Sequence, residues 1–262
     1  IAACRPQITP TNREQGDNIQ IMLRIHSYES MGTFDGPGLR LVVFLQGCNF
    51  RCLYCANPDT IDACGGKPTP AEEILHMATD QKPFFGRRGG VTFSGGEPTF
   101  QAAALVSLVR QLHGAGIHVC LDSNGGVWNP AVEELLGLVD LVLLDVKQAD
   151  PERHRTLTGR DNAQTLRTAA WLEEHGKPFW LRYVLVPGYS DAEADIRALG
   201  ERLGGYKQVE RVEILPYHTL GVHKYEAMGK EYRLAGVQEN TPEQSERAAA
   251  LFREYFPTVV VN

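Results

Sequence analysis

From residue 39 onward, the chain alternates short apolar runs with stretches in which apolar residues recur at helical spacing. The apolar runs, which predict strands, are Leu39–Leu45, Val91–Phe93, Ile117–Leu121, Leu141–Val146, Phe179–Val186 and Val209–Leu215. The helical stretches that alternate with them are Pro70–Thr79, Phe100–His113, Pro130–Leu138, Ala163–His175 and Asp191–Leu203, and a last helix, Pro242–Tyr255, precedes a short strand at Val259–Val261. Near-continuous apolar strands joined by helices indicate a parallel sheet covered by helices.

Six strand–helix repeats are too few to close an eight-stranded barrel. The pattern therefore predicts a single α/β domain built as a partial (βα)6 TIM-like barrel that is open at one side, with a doubly wound sheet as the alternative. A length of 262 residues suits one such domain. Residues 1–22 are polar and without period, which predicts a poorly ordered extension, so the barrel domain is expected over residues 23–262. In either architecture the chemistry collects at the carboxyl ends of the strands.

The composition excludes several classes of function. The net charge is 26 − 32 = −6, which argues against general binding to nucleic acid or to a membrane surface. No apolar run approaches the roughly 18–20 residues that span a bilayer. The sequence also lacks a charged start followed by an apolar stretch, which is the pattern that indicates a secretory signal. We therefore expect a cytoplasmic protein.

Cysteine spacing gives the strongest chemical signal. Three of the six cysteines, Cys48, Cys52 and Cys55, follow the first predicted strand with the spacing C-x3-C-x2-C. In a reducing cytosol such a group indicates metal binding or catalysis more often than disulfides. A structural zinc site requires four ligands, and no second pair completes this one. Three thiolates on an iron–sulfur cluster leave one iron open to another ligand.

The triplet, with an aromatic residue before its third cysteine, resembles the signature of the radical SAM superfamily, whose members use S-adenosylmethionine (SAM). More narrowly, the chain is similar to the pyruvate formate-lyase activating enzymes from about Arg24 to its end. The segments that carry this resemblance are Gly32–Arg40, Phe44–Cys48, Cys52–Cys55, Asp145–Gln148, Arg182-Tyr183, Val186–Gly188 and Leu215–His218.

The resemblance implies an enzyme with a [4Fe–4S] cluster on Cys48, Cys52 and Cys55, whose fourth iron is chelated by SAM. It implies a flavodoxin or ferredoxin as electron donor and a monomeric enzyme. It further implies that one electron cleaves SAM, and that the resulting 5′-deoxyadenosyl radical removes a hydrogen from a glycine of a partner glycyl radical enzyme, most closely pyruvate formate-lyase. The protein supplies binding and orientation for this cofactor chemistry.

The resemblance also assigns the remaining site residues. The residues implied to contact SAM are Tyr54, Ala56, Gly95, Gly96, Glu97, Asp145, Val146, Lys147, Arg182 and His218. A monovalent cation, K⁺ or Na⁺, is implied at Asp122, Ser123 and Asp145, and Asp35 is implied to lie near the glycine of the partner. One departure is Pro98-Thr99 after Glu97, where the activating enzymes often carry Ala-Ile.

Two alternatives remain open on the sequence. The first is an activase of a different glycyl radical enzyme; many of those carry an inserted ferredoxin-like module, whereas residues 61–90 here hold only Cys64. The second, of another class, is an electron-transfer iron–sulfur protein or a zinc-binding protein, in which Cys64 would complete a set of four ligands.

Overall fold

The computed structural model describes residues 21–262, so the predicted extension lies outside the described residues except for its last two positions. Strand β1 already begins at Met22.

The strands of the described chain are β1 (Met22–Gly32), β2 (Arg40–Leu45), β3 (Lys67–Pro70), β4 (Gly90–Gly95), β5 (His118–Ser123), β6 (Leu141–Asp145), β7 (Phe179–Leu185), β8 (Val209–Pro216) and β9 (Val259–Val261). The helices are α1 (Ala71–Phe85), α2 (Ala102–Gly114), α3 (Pro130–Leu138), α4 (Pro151–Thr158), α5 (Ala163–Glu174), α6 (Glu193–Leu203), α7 (Val222–Ala227) and α8 (Pro242–Arg253). Short 3-10 turns lie at Pro58–Thr60 and Pro98–Gln101. No helix in this part of the chain combines the length and the apolar character needed to cross a bilayer.

All strands join one unclosed sheet in the order β3-β1-β2-β4-β5-β6-β7-β8-β9. Strands β2 and β4 to β9 run parallel, whereas β1 pairs antiparallel with both β2 and β3. The six predicted strands correspond to β2 and β4 to β8, so the partial TIM-like barrel is confirmed. The sequence analysis missed β1 and β3 at one edge, and the helices α4 and α7.

Side chains of each strand alternate between two faces, because successive residues of a strand point to opposite sides. Val91, Val119, Leu144 and Leu181 belong to the large core that the sheet forms with the surrounding helices. The residues between these positions face the concave side of the sheet, which therefore carries the polar strand residues Arg40, Thr92, Ser94, Asp122, Asp145, Arg182 and Glu213.

Strand register sets which of these concave residues are neighbours. Asp145 of β6 lies opposite Arg182 of β7, and Arg182 lies opposite Glu213 of β8. Arg40 is the first residue of β2, so it lies nearer the amino ends of the parallel strands than these three residues do. The concave face thus has a buried lower layer and an ionisable upper layer at the carboxyl ends of the strands.

Candidate active site

A cavity of about 320 Å³ opens over the carboxyl ends of the parallel strands. Its wall includes thirteen of the sixteen residues singled out from the sequence, namely Asp35, Cys48, Cys52, Tyr54, Cys55, Ala56, Gly95, Gly96, Asp122, Asp145, Lys147, Arg182 and His218. These residues come from seven separate parts of the chain, and the fold brings them to one place.

The cysteine loop follows β2 and is fixed by backbone hydrogen bonds to neighbouring segments. Gly47 N donates to Thr60 O over 2.7 Å, and Arg51 N donates to Thr158 O over 2.7 Å. From helix α7, the Tyr225 hydroxyl donates to Cys55 O over 3.1 Å. Because its backbone is anchored on both sides, the loop holds the three cysteine side chains against one wall.

The three thiols are free and partly buried. Burial raises the pKa of Cys48 and of Cys52 to about 12, and it also raises the pKa of Cys55. Such thiols stay protonated unless a strongly positive group displaces the proton, as iron does when a thiolate binds it. Burial and donor chemistry therefore fit thiolate ligation of iron.

The number and spread of donors fit a cluster rather than a single ion. Within residues 21–262, no three His, Cys, Asp or Glu side chains converge closely enough to hold one metal ion. Cys64 is disulfide-bonded and is not part of the cavity wall, so its sulfur does not complete a set of four. Cys120 lies fully buried in an apolar group with Leu141, Leu143 and Trp180. Three separated thiols around one cavity match three irons of a cubane with its fourth iron open.

Gly95 and Gly96, at the end of β4, are required because neighbouring backbone segments pack closely against them. Gly95 has φ +108°, and a Cβ there would lie 2.4 Å from Leu45 N. A Cβ on Gly96 would lie 2.3 Å from Gly47 O, at the start of the cysteine loop. Both residues line the cavity, and their lack of side chains brings the end of β4 against β2 and the cysteine loop.

Glu97 lies behind the cavity wall rather than on it. Its carboxylate is fully buried and accepts hydrogen bonds from Thr99 N, Thr99 Oγ1, Ser123 Oγ and Asn124 N over 2.6–3.1 Å. Thr99, part of the departure from the family pattern, thus supplies two of the four donors. Through these hydrogen bonds the Glu97 carboxylate joins the ends of β4 and β5.

Two other residues implied by the resemblance also point away from the cavity. Ser123 Oγ donates to Glu97 Oε1 over 2.8 Å. Val146 is fully buried in the core beneath the helices. Neither residue is part of the cavity wall.

Asp145 and Lys147 form an ion pair at the end of β6, with Nζ 2.9 Å from Oδ2. Lys147 is only 8% exposed and lies over the ring of Tyr54. Burial alone would lower the pKa of Lys147, but the adjacent Asp145 carboxylate outweighs burial and holds that pKa above its usual value. The cavity therefore contains a permanent ammonium group beside a carboxylate.

Arg182 is the centre of a second charged group. Its guanidinium lies 3.3 Å from Asp122, 3.3 Å from Glu213 and 3.7 Å from Asp35. Burial raises the pKa of Asp122 to about 6, although Arg182 opposes that shift. The Oδ1 atom of Asp122 is buried and has no hydrogen-bond partner among the described residues. One arginine thus faces three carboxylates, of which Glu213 also pairs with Arg211 over 3.4 Å.

The remaining predicted residues lie around the mouth. His218 is exposed and accepts a hydrogen bond from Leu220 N over 3.4 Å through Nδ1. Tyr54 is partly buried beneath Lys147, and its buried hydroxyl lacks a hydrogen-bond partner among the described residues. Ala56 packs against Gly221, where a Cβ would come within 2.6 Å of the Ala56 Cα.

Sequence reasoning missed several residues of the wall. Asn124 reaches the cysteine loop, with Nδ2 2.8 Å from Asn49 Oδ1 and 3.9 Å from Cys48 Sγ. Ser94 donates to Asp122 over 2.6 Å. Asn124 immediately follows a strand end, and this position was a usable signal. Glu213 gave no such signal, since it resembles a solvent-facing residue in an alternating strand.

Comparison with known proteins agrees with this geometry. The family description "Radical SAM superfamily" matches residues 42–199. The chain is 44% identical over 240 residues to "Pyruvate formate-lyase 1-activating enzyme" of Escherichia coli (strain K12), covering 90% of this chain and 98% of that protein. It is 45% identical over 222 residues to "Pyruvate formate-lyase-activating enzyme" of Staphylococcus aureus (strain USA300), covering 82% and 88%.

Among solved structures, Streptococcus suis SuiB bound to its precursor peptide SuiA superposes with a TM-score of 0.67 at 19% identity. That match covers 86% of this chain and 49% of SuiB. A domain of pyruvate-formate lyase-activating enzyme from Bacteroides vulgatus superposes with a TM-score of 0.57 at 24% identity, covering 66% and 99%. At these identities the structures establish the shared fold.

Proposed function

This chain belongs to the radical SAM superfamily, and we propose that it is an activase that installs a glycyl radical on pyruvate formate-lyase. The observation that carries this proposal is the set of three partly buried thiols that line one cavity together with an ammonium group and several carboxylates. The near-complete coverage of two named activating enzymes at 44% and 45% identity supports the choice of substrate.

Cys48, Cys52 and Cys55 would hold a [4Fe–4S] cluster in this cavity. When bound, the cluster supplies one electron to the sulfonium of SAM. The loop that carries the thiols is anchored to Thr60 and Thr158, which limits its movement during this step.

The charged residues of the wall suit the two ends of an amino-acid moiety. Lys147 offers an ammonium group to the SAM carboxylate, and Asp145 offers a carboxylate to its amino group. Charge-assisted hydrogen bonds of this kind are about twice as strong as neutral ones. Gly95, Gly96, Tyr54, Ala56 and His218 would complete the contact surface for SAM. Arg182 would orient the carboxylates that surround it.

A protein glycine would reach the cavity on the side of Asp35. This carboxylate lies in the wall, and burial raises its pKa while Arg182 opposes the rise. Because the sheet is unclosed, a peptide loop can enter without passing through the barrel. Exclusion of water by such a loop would protect a reactive radical.

Further features belong to the same proposal. The electron donor would be a flavodoxin or a ferredoxin, and the activase would work as a monomer in the cytoplasm. A K⁺ or Na⁺ ion would bind at Asp122 and Asp145; the unpartnered Oδ1 of Asp122 supports this site. Ser123 would take part only after its hydroxyl leaves Glu97.

The test combines radical detection with isotope transfer. Anaerobically reconstituted and reduced protein is mixed with SAM and pyruvate formate-lyase that carries [α-²H]glycine. We expect a glycyl radical signal by electron paramagnetic resonance, with deuterium in the 5′-deoxyadenosine formed. The matched control is the same mixture with a lyase whose radical glycine is replaced by alanine. SAM cleavage without radical or deuterium transfer would redirect the proposal to another glycyl radical enzyme, and absence of SAM cleavage would refute it.

A further inference from the structure

Arg40 is the largest fully buried side chain of the described protein, and none of the described carboxylates forms an ion pair with it. Its guanidinium instead donates to Thr92 Oγ1 over 2.5 Å, to Val91 O over 2.6 Å and to Pro37 O over 2.9 Å. A weaker contact of 3.3 Å joins it to His118 Nδ1. A buried arginine whose partners are all uncharged groups is costly to fold, so a specific structural role is expected.

The contacts of Arg40 lead to the turn between β1 and β2. Thr92 Oγ1 accepts the hydrogen bond from Arg40 Nε and donates its own proton to Asp35 O over 2.6 Å. Arg40 therefore holds two carbonyls of this turn, that of Pro37 directly and that of Asp35 through the Thr92 hydroxyl.

The same turn is held from the cavity side by Arg182. Arg182 Nη2 donates to Phe34 O over 2.9 Å, and its Nη1 lies 3.7 Å from Asp35 Oδ1. Carbonyl groups of three turn residues are thus fixed by side chains from β2, β4 and β7. Asp35 is therefore held at two points. Thr92 donates to its backbone carbonyl, and Arg182 attracts its carboxylate.

Close packing also leaves the turn little freedom to move downward. Gly36 has φ +119°, and a Cβ there would lie 3.0 Å from Cys120 Sγ and 3.1 Å from Arg40 Cδ. The turn therefore rests directly on the lower layer of the concave face. The position of this turn relative to the cavity therefore depends on Arg40 and Thr92.

We infer that Arg40 and Thr92 are positioning residues that set where the Asp35 carboxylate meets the glycine-bearing loop of the protein substrate. This inference rests on the proposed activase function. Neither residue is part of the cavity wall, so neither contacts SAM or the cluster. Arg40 and Thr92 affect only how the protein substrate binds, and they do so through Asp35.

The decisive variant is Thr92→Val, which keeps the shape of the side chain and removes the hydroxyl. We expect iron content and SAM affinity to stay within about twofold of wild type. The KM for pyruvate formate-lyase should rise about tenfold, the factor that corresponds to the loss of one well-placed hydrogen bond. The number of glycyl radicals per 5′-deoxyadenosine should fall. Thr92→Ser, which restores the hydroxyl, should recover both quantities.

A double-mutant cycle tests whether Thr92 works through Asp35. If it does, Thr92→Val changes the KM of an Asp35→Asn enzyme less than twofold, because the group being positioned is already altered. Arg40→Lys, which leaves a cation but loses the forked donors, should resemble Thr92→Val.

The inference is overturned if Thr92→Val keeps the wild-type KM and radical yield, or if the two substitutions at Thr92 and Asp35 act independently. It is also overturned if Thr92→Val loses iron or SAM affinity, since the role would then be general folding. Failure of the proposed function gives a different result, because wild-type protein would then install no glycyl radical at all.

Discussion

Lys147 Nζ lies 2.9 Å from Asp145 Oδ2, and both side chains border the cavity at the end of β6. The pair places opposite charges two residues apart in a largely water-excluded wall. An amino acid also carries an ammonium group and a carboxylate. Asp145 and Lys147 can therefore give up their contact with each other, so that Asp145 binds the ammonium group of the ligand and Lys147 binds its carboxylate.

Replacing Lys147 with Ala should weaken SAM binding about ten- to a hundredfold, since a charge-assisted contact in a buried site is lost. Iron content should not change, because Lys147 is not a cluster ligand. Equilibrium binding of SAM to the reconstituted protein measures the effect. The matched control is Lys207→Ala, at an exposed lysine just before β8. Equal affinity in the two variants would remove Lys147 from the SAM site.

Serine at Cys48, Cys52 or Cys55 should abolish the iron–sulfur absorption and lower the iron content from the about four per chain that a [4Fe–4S] cluster requires. Each substitution removes a ligand while keeping the size of the side chain. Cys120→Ser is the control, because Cys120 is buried away from the cavity. Retention of a full cluster in any one variant of the triplet would exclude that cysteine as a ligand.

Glu97→Gln should destabilise the folded protein by about 1–3 kcal/mol, because an amide donor then faces groups that are themselves donors. The carboxylate now accepts four hydrogen bonds while fully buried. Denaturant unfolding of the apoprotein measures the loss, with Glu174→Gln at an exposed helix position as the control. If stability is unchanged and only SAM affinity falls, then Glu97 acts as a SAM contact after all.

Stability should also fall as the pH drops below His118's ordinary pKa of 6.5. Burial lowers the pKa of His118 in the folded protein, and the nearby Arg40 guanidinium lowers it further. The unfolded chain therefore takes up this proton first as the pH falls, which favours unfolding. The contribution is fully present above the ordinary pKa and is lost as the pH falls toward the lowered one.

The substitution His118→Asn should flatten this part of the stability–pH profile, since an amide oxygen can accept from Arg40 without titrating. Urea unfolding across this pH range provides the measurement. His76→Asn, at an exposed helix position, is the comparison variant. If His118→Asn leaves the slope unchanged, then His118 is not the titrating group.

Much of the fold follows from residue pattern alone. The strands β2, β6 and β7 are apolar on both faces along most of their length, and β4, β5 and β8 are apolar on one face, so their runs stand out. Strand β1 is half exposed and mixes polar with apolar residues, and β3 contains two prolines at the sheet edge. Pattern reasoning misses such strands because neighbouring strands, rather than local composition, hold them extended.

Some residues of the site could likewise be predicted from the sequence, and others could not. Cysteine spacing and strand-end positions lead directly to the residues that line the cavity. The direction in which Glu97 and Ser123 point depends on which strands become neighbours, and sequence spacing carries no such information. Glu213 escaped notice for the same reason, because only pairing with β7 sets it beside Arg182.

The register that aligns Asp145, Arg182 and Glu213 also limits how this protein can change in length. Deleting one residue within β7 would turn Arg182 toward the helices and bring an apolar neighbour into the cavity. Loops at the opposite ends of the strands, such as the segment between α2 and β5, face no such restriction. Insertions should be tolerated there, whereas a single-residue deletion inside a central strand would remove the charge pattern of the cavity in one step.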